Sequence, residues 1–176
     1  MTPGSHAEGN TMKPVLLVID VQNYVLDNYP GYSESVAKRA GVMNDAISLF
    51  RRKGLPIVVI YHEDKAEGPR PGSRAFEFSD SIDVRGTDTK VVKNYPNGFN
   101  KTDLEDILRN KTCDTVFIVG LSAIGCALAT YHGAMDRDLE PYFVHGGVAA
   151  DTEEHVRMAE EICRTISVEE LDRRLG

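Results

Sequence analysis

Cys126 carries the most reactive chemistry in this chain, because it stands where an apolar run gives way to an alanine-rich segment. The run at residues 115–119 predicts a buried strand, and the segment after it predicts a helix. The N-terminal end of a helix favours a thiolate, which is a strong nucleophile. A free cysteine is also a common packing residue, so position alone leaves both interpretations open.

An acid and a base occupy matching places in the chain. Asp20 follows an apolar run at residues 15–19, and Lys93 follows a shorter apolar pair. Parallel strands bind ligands at their carboxyl ends, so we expect Asp20, Lys93 and Cys126 to meet at one edge of a sheet. There Asp20 would accept the thiol proton, and Lys93 would pair with Asp20. The ordinary alternatives are an aspartate that caps a turn and a solvated surface lysine.

Alternating strand and helix patterns must position these residues. Short continuous apolar runs predict buried strands, and apolar residues at helical spacing predict the helices between them. Strands are expected at residues 15–19, 56–60, 90–93, 115–119, 141–144 and 165–168. Helices are expected at residues 33–53, 102–108, from 126 onward and at 152–163. This order predicts one α/β domain at residues 12–176, a three-layer α/β/α fold with a mostly parallel sheet of about six strands.

Three further segments carry specific expectations. Residues 62–88 are polar and contain proline and glycine, which predicts a functional loop. Thr102 and Glu105 have the spacing of a capping box that opens the next helix. Residues 1–11 are polar and unpatterned, so we interpret them as a disordered arm or a remnant of cloning.

Composition narrows the class of function. The 176 residues carry a formal net charge of −7, which argues against a nucleic-acid or anionic-membrane partner. Hydrophobic residues make up 41%, no apolar run is long enough to cross a membrane, and no signal segment opens the chain. We therefore expect a cytoplasmic protein. Three cysteines without metal-binding spacing do not predict a disulfide framework.

Two other kinds of site find little support in the sequence. Gly120 and Gly125 have the spacing of a phosphate-binding loop, but Cys126 and Ala127 stand where that motif needs lysine and serine or threonine. His62 ends the second strand with no second histidine nearby, so we expect a structural or substrate-contacting role there. The sequence thus predicts no metal and no other cofactor.

Three motifs together resemble those of the isochorismatase-like cysteine hydrolases, a superfamily that includes nicotinamidases, N-carbamoylsarcosine amidohydrolases and ureidoacrylate amidohydrolases. They occur in order at residues 18–23, 93–104 and 119–126. The likeness extends from about Pro14 to Ile166. It implies the Rossmann-like fold of that superfamily, a small-molecule substrate, and a homodimer or homotetramer.

The resemblance also implies a role for each motif. Asp20, Lys93 and Cys126 would be the base, the cation and the nucleophile that form a thioester with a small amide, carbamoyl or ureido compound. The bond between Leu121 and Ser122 is expected to be cis, so that the amides of Ser122 and Cys126 form an oxyanion hole. Candidate substrate-binding residues, chosen by nearness to the motifs, are Tyr24, Tyr29, His62, Phe99 and Leu121.

The chain departs from the family pattern in ways that bear on its substrate. Ala123 stands where the family often has threonine, and Ala127 where it often has valine. The aspartate and histidine cluster that nicotinamidases share after the second strand is missing, which weakens that assignment. Two alternatives remain: a non-catalytic small-molecule-binding or assembly domain, and an isochorismate vinyl-ether hydrolase, which needs no cysteine nucleophile. The complete set of Asp20, Lys93 and Cys126 favours amide hydrolysis over both.

Overall fold

The computed structural model describes residues 11–176, in which strands and helices alternate along the chain. The arm expected at residues 1–11 lies, apart from Thr11, outside the described residues. The elements in chain order are β1 (Pro14–Ile19), α1 (Asn23–Asn28), α2 (Pro30–Arg52), β2 (Ile57–His62), β3 (Thr89–Lys93), α3 (Leu104–Asn110), β4 (Thr115–Leu121), α4 (Cys126–Met135), β5 (Glu140–Ala149), α5 (Glu153–Ile162), β6 (Thr165–Ile166) and α6 (Val168–Leu175).

The six described strands form one parallel sheet in the order β3-β2-β1-β4-β5-β6. This confirms the predicted α/β fold class. The central strands β1 and β4 are buried along their whole length, as their continuous apolar sequences predict. Ile19 lies opposite both Ile60 and Gly120, and His62 lies opposite Lys93. The carboxyl ends of β3, β2, β1 and β4 are therefore level.

Two hydrophobic cores cover the two faces of the sheet. The α2 core includes Leu16 and Val18 of β1, together with Phe50 of α2 and Phe76 of the loop before β3. The α4 core, on the other face, includes residues of α3, α4 and α5 packed on alternate β1 positions such as Leu17. Successive residues of β1 belong to different cores because strand side chains alternate between faces.

Two helices were not predicted. Helix α1 has six residues and buries none of them, so it carries no apolar periodicity. Helix α6 buries only Leu171, and the Ser167 side chain caps its first turn. Among residues 11–176, no helix is both long enough and apolar enough to cross a membrane.

The starts of α5 and α3 differ in how they are capped. Thr152 caps α5 by accepting a hydrogen bond from the backbone N–H of His155 at 3.2 Å. The capping box at Thr102 is wrong, because Glu105 pairs with Arg109 and Arg137 instead of reaching back. The Thr102 hydroxyl donates to the carbonyl of Gly98 at 2.6 Å and so fastens the preceding loop.

Candidate active site

Three side chains from three strand ends meet at the carboxyl edge of the sheet. Lys93 Nζ lies 2.8 Å from Asp20 Oδ2 and 3.3 Å from Cys126 Sγ. Asp20 follows β1, Lys93 ends β3, and Cys126 begins the helix that follows β4. The level strand ends bring together residues that are 73 and 33 positions apart in the chain. An acid, a cation and a thiol therefore share one small volume.

Lys93 is fully buried, so it is not a solvated surface lysine. Its side chain points to the same face as Val91, while Lys90 and Val92 point the other way and are exposed. A buried ammonium is stable only where acceptors replace water. Besides Asp20 and Cys126, the Nδ1 atom of His62 lies 3.2 Å from Lys93 Nζ.

Asp20 is held by the backbone in the left-handed region, with φ of +58°. Its N–H donates to the carbonyl of Ile60 at 3.0 Å, which ties the end of β1 to the end of β2. Aspartate tolerates this conformation better than most residues. Its Oδ1 atom is buried and, within residues 11–176, has no hydrogen-bond partner. This oxygen is free to accept a proton.

Cys126 keeps its proton in the resting site. Burial, followed by the Asp20 carboxylate, raises the pKa of the Cys126 thiol to about 12, although Lys93 acts in the opposite direction. A protonated thiol is what the expected role of Asp20, as acceptor of that proton, requires, whereas a helix N-terminus alone would favour a thiolate. Loss of water around the sulfur is the largest cause of the raised pKa.

The segment from Gly120 to Gly125 turns sharply between β4 and α4. The bond between Leu121 and Ser122 is cis, and Gly120 has φ of +115°. The carbonyl of Ser122 accepts hydrogen bonds from the N–H groups of Gly125 at 2.9 Å and Ala127 at 3.1 Å. These bonds close the turn immediately before and after Cys126.

The candidate substrate-binding residues fall into two groups. His62 contacts Lys93, and Tyr24 and Tyr29 are partly exposed and pack edge to face, with ring centroids 6.4 Å apart. The side chains of Phe99 and Leu121 are instead buried in the α4 core and the α2 core, respectively. These two are core residues and do not form an exposed wall.

Sequence reasoning missed two residues of this region as site residues. The Gln22 side chain donates to the carbonyls of His62 and Phe76 and accepts from the N–H of His62 at 2.8 Å. Gln22 lies within the first motif, residues 18–23, and that was the signal in the sequence. The Tyr32 hydroxyl lies 3.3 Å from Ser122 Oγ, and no motif pointed to it.

The described residues 11–176 contain no group of three or more His, Cys, Asp or Glu side chains placed to hold a metal ion. His62, the candidate nearest the site, directs Nδ1 at an ammonium instead.

Comparisons with known proteins agree with this architecture. The family model of the isochorismatase domain matches residues 14–168. An uncharacterized isochorismatase family protein of Bacillus subtilis, YddQ, is 27% identical over 144 residues, which are 80% of each chain. The structure of N-carbamoylsarcosine amidase from Thermoplasma acidophilum is 27% identical, with a TM-score of 0.77 over 90% of this chain and 98% of that one. Pyrazinamidase of Pyrococcus horikoshii, solved in complex with zinc, is 22% identical with a TM-score of 0.74 over 88% and 99%, a likeness of fold alone.

Proposed function

This chain belongs to the isochorismatase family of hydrolases, and from that premise we propose that it cleaves a carbon–nitrogen bond of a small amide, carbamoyl or ureido compound through a cysteine thioester. The observation that carries the proposal is the position of Lys93 Nζ, 2.8 Å from Asp20 Oδ2 and 3.3 Å from Cys126 Sγ. The amidase among the similar structures, at 27% identity, supports the choice of bond.

The first step is attack by sulfur with Asp20 as base. The thiol is protonated at rest, so its proton moves to the free oxygen of Asp20 as sulfur bonds to the substrate carbonyl carbon. Lys93, between the carboxylate and the sulfur, stabilises the negative charge as it passes from one to the other.

The carbonyl oxygen then carries the negative charge of a tetrahedral intermediate. The backbone N–H groups of Ser122 and Cys126 are the proposed donors to it, and loss of one such donor typically raises a barrier by about 3 kcal/mol. The intermediate collapses, the carbon–nitrogen bond breaks, and ammonia or an amine leaves with the proton from Asp20. Water, deprotonated by Asp20, hydrolyses the thioester and restores the thiol.

The two other candidate functions use less of this geometry. Vinyl-ether hydrolysis of isochorismate needs no nucleophilic thiol, and a binding domain needs no base beside one. A buried ion pair that leaves one carboxylate oxygen unpartnered is a costly way to shape a binding surface. The arrangement therefore favours a reaction at sulfur.

The test is release of ammonia or amine from a panel of amides, N-carbamoyl compounds and ureido acids, with isochorismate included. We expect the wild type to hydrolyse a member of the panel, and Cys126→Ala to lose more than about a thousandfold in rate. Cys163→Ala is the matched control, because Cys163 is a buried free cysteine on another helix end. An acyl-enzyme on Cys126, detected by mass spectrometry, would identify the thioester.

Two outcomes would contradict the proposal. Absence of hydrolysis across the whole panel, with binding of one compound retained, would favour the non-catalytic domain. Hydrolysis of isochorismate alone, at equal rates in the wild type and Cys126→Ala, would favour the vinyl-ether reaction.

A further inference from the structure

His62 contacts the site through the buried lysine. Its Nδ1 atom lies 3.2 Å from Lys93 Nζ, while its backbone N–H and carbonyl are both held by the side chain of Gln22. The imidazole belongs to the end of β2, which lies beside β3 in the sheet. The strand pairing and Gln22 therefore hold the backbone of His62 at the place from which its ring reaches the ammonium.

The ammonium of Lys93 has three N–H donors and three neighbouring acceptors. Two of them, the Asp20 carboxylate and the Cys126 sulfur, take part in the proposed chemistry. The third, His62 Nδ1, takes no part in the steps proposed above. Lys93 is fully buried, so its hydrogen bonds are made to protein groups and not to bulk solvent. Without His62, the third N–H would lose its protein acceptor, and Nζ would be held less firmly between the other two.

We propose that His62 is a positioning residue, whose unprotonated Nδ1 accepts the third hydrogen bond of Lys93 and so holds Nζ between Asp20 and Cys126. The effect on turnover rests on the proposed function, whereas the effect on the lysine and the thiol does not. This role differs from the substrate contact expected from sequence.

The role requires a neutral imidazole with its proton on Nε2. The charged groups facing His62 are Lys93, Asp20 and Asp64. Burial first, and Lys93 second, lower the pKa of His62 below 6.5, while the two carboxylates act more weakly in the other direction. A protonated imidazole would place a second positive charge and a donor against the ammonium. Activity should therefore fall as pH falls through the lowered pKa of His62.

Two conservative variants separate lysine positioning from substrate contact. In His62→Asn the amide oxygen occupies the place of Nδ1, which faces Lys93. In His62→Gln the amide reaches the place of Nε2, which faces away from Lys93. Both variants are polar, uncharged and unable to titrate, so each serves as the control for the other.

Two readouts are needed, alkylation of Cys126 by iodoacetamide and the steady-state kinetics of hydrolysis. We expect His62→Asn to alkylate within about threefold of the wild type, and His62→Gln about tenfold more slowly, the lower end of what a hydrogen bond to a charged group contributes. Alkylation should slow, because Lys93 lowers the pKa of the thiol and a displaced Lys93 would lower it less. In hydrolysis, His62→Gln should lower kcat with KM unchanged. In His62→Asn, the fall in activity at low pH that we assign to protonation of His62 should disappear.

The inference is overturned if alkylation of Cys126 is slowed as much in His62→Asn as in His62→Gln. It is also overturned if either variant raises KM with kcat unchanged. Should neither variant fold, titration of His62 by NMR in the wild type decides: a pKa below 6.5 with Nδ1 unprotonated supports the role, and a pKa at or above 6.5 overturns it. If the alkylation pattern holds but no panel compound is hydrolysed, the proposed function fails and the positioning role stands. If a panel compound is hydrolysed and His62→Gln matches the wild type in alkylation and in kcat, the positioning role fails and the proposed function stands.

Discussion

A thiol that keeps its proton is the main property of the site at the scale of single residues. Burial and the Asp20 carboxylate raise the pKa of Cys126 to about 12, and Lys93 offsets only part of this. Such a thiol is a weak nucleophile until a base takes its proton. In the proposed mechanism Asp20 therefore has two opposite effects: its charge suppresses the thiolate at rest, and its unpartnered oxygen would accept the proton during attack.

The variant Asp20→Asn separates these two effects. Removing the carboxylate while Lys93 remains should lower the pKa of Cys126, and each unit of decrease raises the thiolate fraction about tenfold near pH 8. We expect faster alkylation of Cys126 by iodoacetamide together with loss of hydrolysis. Mass spectrometry of the labelled peptide and release of ammonia measure the two properties.

The control for this variant is Asp27→Asn, which removes an exposed carboxylate paired with Arg74. It should leave both alkylation and hydrolysis close to the wild type. Slower alkylation in folded Asp20→Asn, checked by thermal unfolding, would mean that the carboxylate does not suppress the thiolate.

At the scale of secondary-structure elements, the close approach of β4 to β1 at Gly120 positions the turn that carries Cys126. Gly120 has φ of +115°, and a Cβ atom there would overlap the carbonyl oxygen of Ile19 and lie 2.8 Å from its nitrogen. Ile19 directly precedes Asp20, so any displacement at Gly120 moves both Asp20 and the turn that carries Cys126. Only glycine fits the backbone angle and the space together.

Gly120→Ala should therefore lower the free energy of unfolding by about 3 kcal/mol or more, from the left-handed backbone and the overlap combined. Gly41→Ala is the matched control. Gly41 lies within α2, and a Cβ there meets no described atom within 4 Å. That substitution should stabilise the protein by about 0.5–1 kcal/mol. Urea unfolding measures both, and an equal effect at the two positions would contradict the packing argument.

The elements also show which features the sequence could predict. Continuous apolar runs located β1 and β4, and the strand-end rule then brought Asp20, Lys93 and Cys126 together. Helix α1 was missed because it buries nothing, so only tertiary context places it. The spacing at Thr102 suggested a cap, but Glu105 pairs with Arg109, four residues later in the same helix, and with Arg137, which only the folded structure brings near.

Contacts that depend on register were beyond the sequence. His62 meets Lys93 because it lies opposite that lysine in the pairing of β2 with β3, across a loop of more than twenty residues that hides the alignment. The protonation of Cys126 was also beyond the sequence. The helix N-terminus is visible in the sequence, whereas the burial that raises the pKa of the thiol arises only from the packed structure.

At the scale of the whole molecule, folding changes proton affinity at both ends of the pH range. Burial, and then Lys93, lower the pKa of His62 below 6.5, so the unfolded chain binds this proton first as pH falls and stability declines. Burial raises the pKa of Cys163 from 9.0 to about 11, and that of Cys126 from 9.0 to about 12. The unfolded chain loses these protons first as pH rises, so stability declines above pH 9.0.

The free energy of unfolding should therefore be greatest between about pH 6.5 and 9. Each proton by which the two states differ changes it by about 1.4 kcal/mol per pH unit. The double variant Cys126→Ala, Cys163→Ala should reduce the decline between pH 9 and 11, leaving the part due to Cys113, whose pKa burial also raises. Cys163→Ala alone should also keep the part due to Cys126. Urea unfolding in reducing buffer at several pH values measures these slopes. If the double variant declines as steeply as the wild type, the two thiols do not carry the alkaline loss, and buried tyrosines such as Tyr131, whose pKa burial also raises, become the groups to test.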